Sequence, residues 1–226
     1  MKSIVIGATG GIGASLADRL EARSGTVTRL SRQSIPPIDL ESDASIAAAA
    51  AAVARDGPFD LVLVASGILH GDGVAPEKTF RQIDGPPLEQ VFRINTIGPA
   101  LVARHFVPLL RPTGRAIFAA RSARVGSIGD NRLGGWFAYR ASKAALNQIV
   151  KTLAIELART HPDMLAVTLH PGMVDTALSA PFQRGLAEGQ LLTPAASAAL
   201  LLDTLDRLSP ADSGGCFDYE GERIAP

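Results

Sequence analysis

A single cysteine, Cys216, is the only thiol in the chain of 226 residues, so no intramolecular disulfide can staple the fold. It reads as a small buried apolar residue near the carboxyl end, and a reducing cytoplasm suits such a chain. Net charge is just as scarce. Lysine and arginine number 22 against 22 acidic residues, which removes the electrostatic case for nucleic acid or an anionic membrane as a partner. Nowhere is there the run of about eighteen apolar residues that a membrane span needs. The apolar stretch after Met1-Lys2 is too short for the core of a signal peptide, so neither a span nor a leader is expected. The histidines, His70, His105, His161 and His170, are scattered without ligand spacing, which argues against a metal site. A small molecule is the partner that remains.

Apolar residues are plentiful, at 46% of the chain. That is enough for a sizeable core, and one domain over residues 1–226 is the simplest organisation. Strand and helix patterns alternate. Strands are expected at Ser3–Ile6, Thr26–Ser31, Phe59–Ala65, Arg115–Ala120, Met164–Leu169 and Gly215–Asp218. Helices are expected over 14–23, 42–55, 88–110 and from Tyr139 to near Thr160, with a last one opened by Pro194. Such alternation predicts an α/β fold, a doubly wound parallel sheet with helices on both faces. The near-continuous apolar character of Phe59–Ala65 fits a strand covered on both sides.

The first strand runs straight into Gly7-Ala8-Thr9-Gly10-Gly11-Ile12-Gly13 and then a helical stretch. Glycine lets the chain turn tightly and lets a pyrophosphate approach backbone N–H groups at a helix amino terminus. The spacing differs from G-x-G-x-x-G but serves the same physical task; a glycine turn with no ligand is the bland alternative. Further on, Tyr139-Arg140-Ala141-Ser142-Lys143 sets a phenol and an ammonium one helical turn apart. At about 4 Å and an effective dielectric near 20, the attraction is about 4 kcal/mol, or about three pKa units. Lys143 is thus expected to draw Tyr139 down toward the range of a general acid-base catalyst. The same spacing also arises by chance on many helices.

The glycine loop, the Tyr-x-x-x-Lys pair, Asn95 in Phe92-Arg93-Ile94-Asn95-Thr96-Ile97-Gly98, and Pro171-Gly172-Met173-Val174-Asp175-Thr176 stand in one order along the chain. Together they resemble the short-chain dehydrogenase/reductase family over nearly its whole length. The stretch Ala123–Asn147, with Asp130-Asn131-Arg132-Leu133-Gly134-Gly135-Trp136, is similar to the subgroup around the C-factor developmental signalling protein. The resemblance implies that Tyr139 gives a proton to a substrate carbonyl as the nicotinamide delivers hydride, or takes it back in reverse. It implies that Lys143 lowers the tyrosine pKa and holds the nicotinamide ribose, and that Asn95 supports a water-linked proton path. A bland alternative for Asn95 is a helix-kinking amide satisfied by nearby backbone.

The family places a substrate-orienting serine after the strand Arg115–Ala120. Ser122 is the favoured candidate, yet by register from Gly126 the position belongs to Ala123; Ser127, or no serine at all, remains open. The cofactor contacts implied are Gly7, Thr9, Gly11, Ile12 and Gly13, then Arg32, Asp39 and Leu40 at the adenosine, and Ala65, Ser66 and Gly67 in place of the family's Asn-Asn-Ala-Gly turn. Pro171, Gly172, Val174 and Thr176 follow at the nicotinamide. Arg32 stands where an acidic residue would reject a 2′-phosphate, and its guanidinium fork suits phosphate, so NADP(H) is preferred and NAD(H) possible. A solvated surface arginine is the alternative. The segment covering the substrate, from Thr176 to about Leu192, is short. Trp136 either lines the pocket or packs the helix entrance. The long helices from Leu88 and Tyr139 are where family members associate, which suggests a homodimer or homotetramer. A reductase or dehydrogenase acting on a small carbonyl or alcohol is the favoured function. A cofactor-binding regulatory or signalling protein is the alternative, and an epimerase or dehydratase is disfavoured because no extended carboxyl-terminal domain follows.

Overall fold

The apolar runs pair into one parallel sheet in a computed structural model that describes every residue except Asp72 and Glu188. In chain order its strands are β1 (Lys2–Ile6), β2 (Thr26–Leu30), β3 (Leu61–Val64), β4 (Ala116–Arg121), β5 (Met164–His170) and, after two short strands described below, β8 (Cys216–Asp218). Across the sheet the order is β2-β1-β3-β4-β5-β8. Register is set from β1 outward, where Ile4 lies opposite Thr28 on one side and Val62 on the other.

Alternation along each strand sends side chains to opposite faces, and each face is covered by helices. Ile4, Ile6, Val62, Val64 and Phe118 point to the side packed by α2 (Asp43–Val53), α4 (Gly98–Phe106) and α5 (Phe137–Thr160). Val5, Leu63, Ile117 and Leu165 point to the side covered by α1 (Gly11–Ala22) and α6 (Pro194–Arg207). The alanine-rich α2 is capped by Ser42, whose hydroxyl accepts from the Ser45 N–H at 3.2 Å, and it buries Ile46, Ala49, Ala50 and Val53. A doubly wound α/β sheet is therefore what the alternation produces.

The expected helix over 88–110 is not continuous. It is α3 (Gly85–Phe92), a widened π turn at Arg93–Ile97, and α4, followed by a 3₁₀ turn at Val107–Leu109. Pro99 has no N–H to give to the carbonyls one turn earlier, so the regular ladder cannot close there. Two strands of two residues, β6 (Met173–Val174) and β7 (Leu191–Leu192), pair with each other outside the main sheet. Among the described residues no helix is long and apolar enough to cross a membrane.

The chain leaves β1 for β2 on one side and then returns to place β3 on the other. Connections diverge at the carboxyl ends of β1 and β3, which opens a crevice there.

Candidate active site

The crevice at the switch point has a volume of about 410 Å³ and is bordered by the glycine loop, Ser31 and Arg32, Asp39 and Leu40, and Ala65 to Gly67. Gly7 has a φ of 87°, and a Cβ there would stand 2.5 Å from Ser66 Oγ. A Cβ on Gly13 would strike the Gly7 carbonyl, and one on Gly11 would lie 2.9 Å from Thr176 Cγ2. Thr9 and Ile12 complete the loop lining. Among the described residues no side chain caps the start of α1, and no acid occupies its first turn, so its leading N–H groups are available to an anion. This cradle fits the phosphates of a dinucleotide.

At the other end, Arg32 is exposed on the crevice and makes no ion pair among the described residues. Asp39 turns its carboxylate to the Glu41 N–H at 3.0 Å, which holds the loop. Leu40 is buried against α4, where a Cβ on Gly98 would lie 2.7 Å from Leu40 Cβ. The loop after β3 is tied down by Asn95. Its Oδ1 accepts from Ile68 N–H at 2.9 Å, while its amide donates to Ile68 O at 2.8 Å and to Ser142 Oγ at 3.2 Å. Asn95 borders neither cavity, and its side chain bonds are those of a backbone brace.

A second, smaller cavity of about 130 Å³ adjoins the crevice and contains Tyr139 in its lining. Ile12, Arg121, Thr176 and Leu178 border both spaces. Pro171, Gly172 and Val174 border only the smaller one. Gly172 has a φ of 78° and lies against the Tyr219 ring, where a Cβ would come within 2.8 Å. Leu178 and Phe182, from the segment between β6 and β7, cover the pocket. Trp136 meets Phe182 edge-on at 5.0 Å and Tyr139 at 6.2 Å, which places it in the pocket wall. Its left-handed backbone is held by an N–H bond to Glu77 O, and the buried Glu77 carboxylate accepts from Ala138 N–H at the start of α5. Sequence reading passed over Glu77.

Lys143 is 1% exposed, and its Nζ donates to the Arg121 carbonyl at 2.9 Å while lying 5.7 Å from the Tyr139 ring centre. Gly126 permits this packing, since a Cβ there would stand 2.8 Å from Lys143 Cβ. Burial pushes the lysine well below its ordinary value, and the Arg121 charge adds to the effect. For Tyr139 the expected downward shift is reversed. Burial raises the phenol, and the cation that opposes the rise is Arg121 rather than Lys143. The helical spacing was right about proximity, but it says nothing about depth, and desolvation outweighs the attraction here.

Arg121 is the feature the sequence reading missed. A charge directly ending the apolar run Ala116–Ala120 was the available signal. Its guanidinium lies against Gly67, 2.6 Å from where a Cβ would stand. Next to it, Ser122 donates from Oγ to Asn147 Oδ1 at 2.7 Å, while Ala123 shares an apolar cluster with Leu69 and Tyr139. Ser127 is buried and bonds Asp130 N–H at 3.0 Å. The favoured serine thus has its hydroxyl directed to α5, and the residue packed with the tyrosine is an alanine.

Residues 7–201 match a family model described as enoyl-(acyl carrier protein) reductase. The 1-hydroxy-2-glutathionyl-2-methyl-3-butene dehydrogenase of Rhodococcus sp. (strain AD45) is 32% identical over 223 residues, covering 93% of each chain. C-signal of Myxococcus xanthus is 35% identical over 143 residues, 63% of this chain and 80% of its own. Among solved structures, an NADPH-bound carbonyl reductase from chicken fatty liver aligns with a TM-score of 0.85 at 26% identity, over 100% of this chain and 98% of that one.

Proposed function

Because the chain belongs to the short-chain dehydrogenase/reductase family and is an oxidoreductase of that type, we propose that it is an NADP(H)-dependent carbonyl reductase or alcohol dehydrogenase acting on a small substrate. The observation that carries this reading is Tyr139 lining a small, largely apolar pocket that shares a wall with a dinucleotide-sized crevice. When bound, the dinucleotide supplies hydride to the carbonyl carbon. Tyr139 gives its proton to the carbonyl oxygen. A phenol raised by burial stays protonated at neutral pH, which suits the direction of reduction.

The rest of the site supports that step. The glycine loop and the start of α1 receive the phosphates, and Arg32 receives the one at the 2′ position, so NADP(H) is favoured and NAD(H) is the weaker ligand. Thr176, on the wall between the two spaces, faces the nicotinamide end. Lys143 and Asn95 border neither cavity; the lysine fixes the turn at Arg121, and the asparagine fixes the loop after β3. Their reach toward ribose and water is through those backbones. Residues 1–226 act as one unit, and the sole thiol, Cys216, suits the cytoplasm. Association through the α3–α4 and α5 faces into a dimer or tetramer belongs to the same reading.

Tyr139→Phe tests it. NADPH oxidation in the presence of carbonyl substrates should fall by about 10²–10⁴-fold, while NADPH binding, followed by fluorescence, remains. A second reading, a cofactor-binding regulator with little turnover, draws on Ala123 beside the tyrosine and on the likeness to C-signal. It gains if a panel of aldehydes, ketones and quinones gives no Tyr139-dependent turnover.

A further inference from the structure

We propose that Arg121 is the seat of a substrate carboxylate, so that the compound reduced is an oxo acid and the product a hydroxy acid. This rests on the reductase reading and names its substrate class.

Among the described residues the Arg121 guanidinium makes no ion pair and no hydrogen bond, and its Nε is buried without a partner. Arg121 is half-buried, and a cation partly withdrawn from water with no counter-charge is stabilised when an anion joins it. Among the described residues no acidic side chain lines the smaller pocket. Its other arginine, Arg124, is already paired with the Asp218 carboxylate at 2.7 Å. Arg121 is therefore the cation left for a ligand.

Its backbone stands away from the glycine loop. The glycine loop follows β1, and β4 lies two places along the sheet, roughly 10 Å away at about 4.8 Å per strand. Arg121 lies instead where the crevice meets the pocket that holds Tyr139, with Gly67 leaving room for its guanidinium. The pocket is otherwise mostly apolar, with Leu69, Ala123, Trp136, Leu178 and Phe182 in its wall. His170, also in the lining, has a buried Nδ1 without a partner that could bond the same ligand. Ser122, in the same lining, gives its hydroxyl to Asn147, and the residue packed with Tyr139 is Ala123. A guanidinium fork gripping a planar carboxylate in two bonds would orient the neighbouring carbonyl instead. In the reaction the carbonyl carbon gains hydride from NADPH and its oxygen gains the Tyr139 proton. The oxo acid is thereby reduced by two electrons to a hydroxy acid, NADPH becomes NADP⁺, and the carboxylate is unchanged.

The test compares pyruvate, 2-oxobutanoate and phenylglyoxylate with their methyl esters. With the native protein kcat/KM should favour at least one acid over its ester by about tenfold or more, and Arg121→Leu should erase or invert that ratio. Esters used as well as acids, or a ratio that Arg121→Leu leaves in place, would overturn the proposal. Oxamate, an unreactive oxo-acid analogue, gives an arm free of turnover. Titrated into the protein with NADPH bound and followed by the fluorescence of Trp136, the only tryptophan, it should bind saturably and about tenfold more weakly to Arg121→Leu. Absence of oxamate binding, or equal binding to both proteins, sinks the carboxylate seat. Arg121-dependent oxamate binding without turnover of any acid or ester would keep the seat and reject the reductase reading. If Arg121→Leu weakens NADPH itself and leaves the acid-to-ester ratio alone, the arginine serves a cofactor phosphate and the proposal fails. Should the leucine variant not fold, Arg121→Lys keeps the charge, loses the fork and should lower the same ratio.

Discussion

His170 shows what burial does to a titratable side chain in this pocket. Desolvation, aided by the Arg124 charge and partly offset by Asp218, lowers its pKa from 6.5 to about 4. The folded protein therefore prefers the neutral ring, and between those values the unfolded chain holds more protons. Stability from this source is complete above about pH 6.5 and is lost as pH falls toward 4, by roughly 3 kcal/mol in all. Urea midpoints measured from pH 7 to pH 4 should fall with that slope and flatten in His170→Gln; parallel curves would remove His170 from the account. At this scale the sequence was legible for residue types and spacing. It pointed to Tyr139, Lys143 and the glycine loop, but not to depth. Whether the phenol rises or falls depends on how many atoms cover it, and no local spacing encodes that. Arg121 was hidden for the opposite reason, because a charged residue at a strand end is usually solvated.

Among the elements, the helix broken at Arg93–Ile97 carries the clearest dependence on tertiary contact. The pattern from Leu88 to Leu110 is amphipathic on both sides of Gly98-Pro99 and reads as one helix, although the proline stands inside it. What the proline cannot tell is where the freed turn goes. Asn95 resolves it by bonding the Ile68 backbone in both directions. Asn95→Ala would leave the Ile68 N–H and carbonyl without these partners, at roughly 1–3 kcal/mol for each group. The expected result is a lower urea midpoint together with weaker NADPH binding, since Ala65 to Gly67 lie immediately before Ile68 in the crevice wall. A variant that loses stability but binds NADPH as before would show that the brace does not reach the cofactor. The two-residue strands β6 and β7 were not legible at all, because two residues have no period to read.

Across the whole molecule, the parallel sheet and its coverage on both faces follow from apolar runs alternating with helical patterns, and this was the most legible level. The crevice follows in turn from the reversal of strand order about β1. A ligand that binds only the folded chain stabilises it by mass action, about 2.7 kcal/mol at a hundred times its Kd. NADPH should therefore raise the melting temperature more than NADH at equal concentration, and Arg32→Ala should abolish the difference. Equal shifts in the native protein would make Arg32 a solvated surface residue.

Ile12, Arg121, Thr176 and Leu178 border the crevice and the pocket alike. A substitution at any of these four alters both spaces together, so through them the chain cannot change what it accepts in one without disturbing what it holds in the other. Trp136, Phe182 and Ala123 border the smaller space alone. New specificity, whether it comes by natural drift or in the laboratory, has an open route through residues such as these.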